Sequence, residues 1–191
     1  MGREELGTTP ENGSAIPSQL WAGPVPVFGA PALKQIYEFR ESIWRNEPSV
    51  ADVHKFDPAS LWDAHDVHGL HWIITVDTTI VAAARLCVHH EARELPAYDR
   101  IHHLMADIPA PFASLNQLVV HPSMRRQGLS RALTDIRIEA ARSRGARTML
   151  SEAAPNRVLG LRDLGFAELG HAAGLPWDLV PFTLMYLSIS E

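Results

Sequence analysis

The stretch VVHPSMRRQGLSRAL, Val119 to Leu133, decides how the rest of the chain is read. It opens as a β-rich run, turns at Pro122, and sets Arg125, Arg126 and Gln127 against Gly128 before an apolar repeat begins. Leu129, Leu133, Ile136 and Ala140 recur at spacings of four, three and four, which marks one face of a helix. The first N–H groups of such a helix have no partner inside it, and the helix dipole adds partial positive charge there. Gly128 lets the backbone approach a bulky anion without a Cβ in the way, and the two arginines add fixed charge. A strand that hands over to a helix through this loop therefore predicts a phosphate or pyrophosphate cradle. The structural alternative is an ordinary capped helix on a solvated basic turn. The loop lacks the Lys and second Gly of a P-loop and the three glycines of a dinucleotide fingerprint.

Working outward, Ala113–Val120 is the strand before the loop. Gly145 stands where a left-handed residue would end the helix, after Arg142 and Arg144 at its negative end. "TMLSEA" (148–153) reads as a buried strand, followed by a short helix from about Asn156 to Leu164. "GFAELG" is a strand or bend and "PFTLMYLSIS" a final strand. Upstream, Pro31–Arg45 carries Leu33, Ile36, Tyr37, Phe39, Arg40, Ile43 and Trp44 in an amphipathic helical pattern, with Pro31 suited to its first turn. "PVPVFG" places a short first strand near Val25–Phe28. Leu70–Val76 and Ile80–Val88 read as a hairpin around an Asp-Thr-Thr turn. Glu91–Met105 is partly helical, and residues 46–67 give no clear pattern. This order predicts one α/β layer domain with a mixed sheet over residues 19–191, behind a flexible tail at 1–18.

The chain has 191 residues, 46% of them apolar, and a formal net charge of −5. That balance argues against a broad nucleic-acid surface. A single cysteine, Cys87, excludes an internal disulfide framework and fits a reducing compartment. No run of about 18 apolar residues predicts a membrane span, and the polar N-terminus does not read as a secretory signal. The expected location is the cytoplasm.

Arg125-Arg126-Gln127-Gly128-Leu129-Ser130, preceded by "LVVHP", resembles the acyl-CoA signature of the GNAT superfamily of N-acetyltransferases. That signature is Q/R-x-x-G-x-G/A after a strand ending in V-x-P. Ser130 stands where Gly or Ala is usual. Asn156 and the "LGF" of Leu164–Phe166 resemble the family's second signature. The resemblance covers roughly residues 25–190. It implies a GNAT fold: a mixed, mostly antiparallel sheet splayed between its fourth and fifth strands and flanked by helices. It also implies acetyl-CoA, or another acyl-CoA, as acyl donor, with no metal. The pantetheine arm would lie against the backbone of Leu118, Val119 and Val120. The pyrophosphate would lie on the loop from Arg125 and Arg126 through Gln127, Gly128 and Leu129 to Ser130, and Asn156 would reach the arm from the other side.

Amine acylation by a thioester needs an acceptor for the amine proton, a donor to the oxyanion, and a leaving thiolate. The resemblance implies that a backbone N–H at a bulge in the fourth strand, expected at Val119, is the oxyanion donor. Asn116 occupies a slot that often carries Glu or His; it cannot be a base but can hold a water. Glu152, at the end of the fifth strand, could take the proton through water; otherwise it is a solvated strand-end carboxylate. Many relatives place a Tyr five residues before the Phe of the G-F pair, and here that residue is Leu161. Tyr186 on the last strand is the substitute acid by direction alone.

"HDVHGLH" spaces His65, His68 and His71 three apart, but Gly69 and the following strand break any shared helical face, so no metal site is expected. His121 reads as a turn residue and Cys87 as a core thiol. "FRESIWRNE" and the segment from Leu61 to Leu86 are similar to autoinducer synthases and related N-acyl amino acid synthases, through Phe39, Arg40, Arg85 and Leu86. That similarity implies a longer acyl chain on CoA or on an acyl carrier protein; the structural alternative is that Arg85 pairs with a carboxylate to hold the hairpin. The expected acceptor is a small-molecule amine. A non-catalytic acyl-CoA sensor is the alternative outside enzymes. The final strand is expected to be an exposed edge on which two copies could pair as a homodimer.

Overall fold

A computed structural model describes residues 21–46, 63–175 and 178–189. The expected tail at 1–18 and most of the unreadable 46–67 segment lie outside the described residues. Seven strands form one sheet: β1 (Ala22–Val27), β2 (Leu70–Val76), β3 (Thr79–His89), β4 (Phe112–Val120), β5 (Thr148–Ala153), β6 (Ala167–His171) and β7 (Thr183–Ser188). Their spatial order is β1-β2-β3-β4-β5-β7-β6. Only β4 and β5 run parallel; every other neighbouring pair is antiparallel. The expected mixed, mostly antiparallel sheet is therefore present. The final strand is not an edge. β7 is paired on one side with β5 and on the other with β6, so β6 forms the border and the expected edge for pairing of copies is covered.

Among the described residues five α-helices flank the sheet: α1 (Ala30–Trp44), the single turns α2 (His65–His68) and α3 (Tyr98–Ile101), α4 (Leu129–Ser143) and α5 (Pro155–Arg162). Proline at the first helical positions starts both α1 and α5, where its missing N–H costs nothing. Gly145, at φ 75°, ends α4 as the sequence predicts, and the N–H of Ala146 donates back to Ala141 O. The stretch from Glu91 to Met105 resolves into two 3₁₀ turns around α3.

The two faces of the sheet are buried differently. Leu129, Leu133 and Ala141 of α4 pack on Ala82, Ala84, Leu86, Ala113, Leu115 and Met149. The alanine run of β3 gives α4 its close seat. Truncating Leu133, which is fully buried, to Ala would cost about 2–5 kcal/mol. On the opposite face, Leu95, Ile101 and Met105 from the α3 region close over Phe112, Leu150 and Leu184. Two-residue alternation along the strands puts Arg85, Asn116 and Glu152 on this second face, with α1 above β3 and β4.

Candidate active site

β4 and β5 share three residue pairs, Phe112↔Thr148, Ala113↔Met149 and Ser114↔Leu150. Beyond Ser114 and Leu150 the two strands continue without pairing to each other, β4 to Val120 along β3 and β5 to Ala153 along β7. The sheet is therefore open as a wedge between them. A bulge bends β4 at the same level: Ala83 faces Val119 and Arg85 faces Asn116, so Gln117 and Leu118 together oppose Ala84. Gln117 takes a left-handed φ of 52° to make the extra residue fit.

The bulge decides which backbone groups face the wedge. The N–H of His121 donates to Val81 O on β3. Antiparallel alternation then turns the N–H of Val119 toward β3 and those of Leu118 and Val120 toward the wedge. The N–H at the bulge that is open to an incoming carbonyl is thus that of Leu118, one residue before the expected Val119.

The loop between β4 and α4 leaves open space beside Gly128. His121 is a turn residue, as expected: its Nδ1 accepts from the N–H and the hydroxyl of Ser123. Arg126 at φ 62° and Gly128 at φ 83° both take the left-handed region, while Arg125 before them is extended. Gly128 is the N-cap of α4, and no side chain caps the helix. A Cβ built on Gly128 would meet nothing within 4 Å. Uncapped N–H groups facing open space satisfy what a pyrophosphate requires. Arg125, Arg126, Gln127 and Gly128 are exposed, Ser130 half-buried and Leu129 buried in the core, so Leu129 offers only its backbone.

The candidate side chains Asn116, Glu152 and Tyr186 lie on the second face. Asn116 is half-buried beside Arg85 and accepts from the Ser114 hydroxyl at 3.4 Å; that hydroxyl also meets His89 Nε2 at 2.8 Å. Glu152 is not a solvated carboxylate. Its side chain is 22% exposed, and Oε1 lies 3.4 Å from Arg100 Nη1. Burial pushes its pKa up, Arg100 opposes that, and Asp178 adds to it. Tyr186 pairs with Leu150 on β7, level with the last β4–β5 pair, and packs against the second core cluster. Leu161 is 1% exposed in the first cluster, a core side chain in the slot where relatives carry a phenol. Asn156 is exposed on the first turn of α5. Its neighbour Arg157 points inward instead, and Nη1 donates to Ser130 Oγ at 2.5 Å.

Sequence reasoning reached only the Arg85–carboxylate pairing of a larger ionic cluster under α1. Arg40 and Asp66 are both fully buried and bonded at 2.8 Å. Arg85 grips Asp63 with both nitrogens, at 2.6 and 3.0 Å, and reaches Asp66 Oδ1 at 3.0 Å. His71 Nδ1 accepts from Arg40 at 3.4 Å and Nε2–H donates to Asp66 O at 3.0 Å. This fixes a neutral imidazole, in line with burial pushing its pKa down. Two arginines and two aspartates cancel, so α1 and α2 are tied to β2 and β3 without net buried charge. The available signal was the three-residue spacing of Asp63 and Asp66 beside Arg40 and Arg85. Cys87 is a core thiol: burial raises its pKa to about 11 despite Arg85 nearby. Among the described residues no group of His, Cys, Asp and Glu could hold a metal ion, and no helix is long and apolar enough to cross a membrane.

Comparison with known proteins agrees with this geometry. FeeM, an N-acyl amino acid synthase from uncultured soil microbes, superposes with a TM-score of 0.63 at 12% identity, over 87% of this chain and 91% of its own. A Salmonella typhimurium protein solved with its cofactor acetyl-CoA gives 0.61 at 16% identity, over 89% and 96%. An N-acetyltransferase from Staphylococcus aureus gives 0.60 at 15% identity, over 88% and 100%. These likenesses establish the fold. No curated protein sequence matches the chain. The acetyltransferase (GNAT) family profile matches residues 33–166, a span that holds most of α1, the hairpin, the wedge, the Gly128 loop and α5. The chain belongs to the GNAT acetyltransferase family.

Proposed function

We propose that this GNAT acetyltransferase moves an acetyl group from acetyl-CoA to a primary amine of a small molecule by direct attack on the thioester. The observation that carries the reading is the wedge opening beside the uncapped cradle at Gly128. The backbone N–H groups from Arg126 to Ser130 would hold the pyrophosphate. Leu118 and Val120 would offer their wedge-facing N–H groups to the arm, and the Leu118 N–H would receive the negative charge that develops on the thioester oxygen. Asn116 would hold a water on the α1 face. Glu152 would take the ammonium proton through that water, helped by burial, which raises its affinity for a proton. The thiolate leaves unaided, because thiols titrate near ~8.5 and Leu161 supplies no acid.

The similarity to FeeM and the Arg40–Asp66–Arg85–Asp63 cluster favour a second reading, a longer acyl chain on CoA or on a carrier protein. A thiol-release assay with acetyl-CoA and longer acyl-CoA donors on an amine panel separates them, with acyl carrier protein as a further donor. Acetyl preference supports the first reading and carrier preference the second. Donor binding without thiol release on any amine would point to an acyl-CoA sensor. Tyr186→Phe leaves kcat within about twofold at all pH values if no phenol serves as acid. Loss of a falling limb near ~10 in that variant would assign the acid role to Tyr186.

A further inference from the structure

The molecule treats its buried arginines in two opposite ways. On the α1 face, Arg40 and Arg85 are matched by Asp66 and Asp63. On the α4 face, Arg137 and Arg157 have no carboxylate within ion-pair distance among the described residues. Arg137 is 1% exposed, and its guanidinium is spent on neutral acceptors: Leu133 O, Arg85 O and the Thr134 hydroxyl. Arg157 is half-buried, with the Ser130 hydroxyl as its one side-chain acceptor among the described residues. Burial lowers both pKa values, and the charge of Arg157 lowers that of Arg137 further. A buried cation and a half-buried one with no anion for either are costly, and a chain that stabilised only itself would do better with apolar side chains there.

The position of Arg157 says what the charge awaits. It is the third residue of α5, past the open end of β5, and its side chain spans to the second residue of α4. It therefore crosses from the β5 side of the wedge to the first turn behind Gly128, where the helix already presents uncapped N–H groups. Ser130 supplies a hydroxyl at a place where Gly or Ala would leave the guanidinium nothing to rest on. An arginine fork suits phosphoryl oxygens, and its planar donors lose little freedom on binding.

We propose that Arg157 is a donor-selecting residue that leaves its resting contact with Ser130 and binds a phosphoryl oxygen of the pantetheine-bearing donor, so that phosphorylated donors are favoured over the bare pantetheine thioester. This rests on the acyltransferase reading and adds to it a side chain outside the signature loop.

The test compares three donors, acetyl-CoA, S-acetyl-4′-phosphopantetheine and S-acetylpantetheine, on the native protein, Arg157→Met and Arg157→Lys. Calorimetric titration and the melting temperature of the free proteins are the readouts. In Arg157→Met, acetyl-CoA affinity falls at least tenfold, S-acetylpantetheine affinity is unchanged, and the free protein melts no lower than native. Arg157→Lys recovers part of the loss. A matching loss with S-acetyl-4′-phosphopantetheine places the contact on the phosphate next to the arm; a loss confined to acetyl-CoA places it on the outer phosphate. Equal losses for phosphorylated and bare donors, or undiminished acetyl-CoA binding, would overturn the proposal. So would a lower melting temperature with acetyl-CoA binding intact, which would make Arg157 a scaffold residue. Native protein that binds none of the three donors would sink the acyltransferase reading itself.

Discussion

Arg100 and Glu152 form an ion pair at 3.4 Å between α3 and the free end of β5, with side chains 17% and 22% exposed. Arg100 is in turn fixed by Asp178 at 2.7 Å and lies over the Phe182 ring. The pair holds a carboxylate of raised pKa beside the wedge. Because the folded-state pKa lies above the ordinary one, Glu152 contributes stability below its unfolded pKa and loses it as pH rises through the folded value. At neutral pH its charge is therefore a cost. Glu152→Gln should melt no lower than native at pH 7, yet lose about 10²-fold or more in kcat if the carboxylate takes the proton. Arg100→Met should move the acidic limb of the kcat profile to higher pH. An acidic limb unmoved by Arg100→Met would separate Glu152 from the proton transfer.

Gly128 is a second test. Its Cβ would meet no protein atom within 4 Å, but its φ of 83° strains any L side chain. Gly128→Glu should cost about 1 kcal/mol of stability from the backbone alone. Acetyl-CoA affinity should fall at least about tenfold as bulk and negative charge enter the cradle. Unchanged affinity in a folded variant would remove the loop from the site.

Asp66→Ala should be severe. It takes from buried Arg40 its one carboxylate among the described residues and leaves Arg85 with Asp63 alone. A loss of about 3–5 kcal/mol in denaturant unfolding is expected for an uncompensated buried charge. A loss under about 1 kcal/mol would mean that the cluster is solvated in solution.

His89 should make the fold acid-sensitive. Burial, with His65 nearby, pushes its pKa down to about 4, and it is 5% exposed. Between the unfolded value near ~6.5 and the folded one, the unfolded chain takes up a proton that the folded chain refuses. Stability should therefore fall as pH drops through that window, by up to about 3 kcal/mol from this residue. His71, also pushed down by burial, acts in the same direction. His89→Gln should flatten the curve in part. A native-minus-variant difference that does not change between pH 7 and 4 would sink the assignment.

The candidate cradle's backbone was readable because what shapes it is local: the end of the strand, Pro122, Gly128 and the first two residues of the helix repeat fall within the fifteen residues from Val119 to Leu133. The helix stop at Gly145 was readable for the same reason. The insertion of β7 between β5 and β6 was not, because "PFTLMYLSIS" looks the same at an edge or inside a sheet. Arg40 and Asp66 are 26 residues apart and meet only when α1 crosses the hairpin, so neither announces the other. The wedge-facing N–H at the bulge falls on Leu118 rather than on Val119 because bulge phase depends on the partner strand. Arg157 was hidden behind Asn156: with Pro155 as the first residue of α5, the side chain that turns inward is the third, not the second.

Three residue pairs are all that join β4 to β5, and they are the one parallel contact in the sheet. The hairpin side and the β5–β7–β6 side are thus two leaves sewn along a short seam. A donor arm laid between Leu118 and the end of β5 would act as the missing eighth strand, a thread the chain does not encode. Its occupancy would then set how tightly the leaves close, and amide protons of β5 and β7 should exchange more slowly as donor concentration rises.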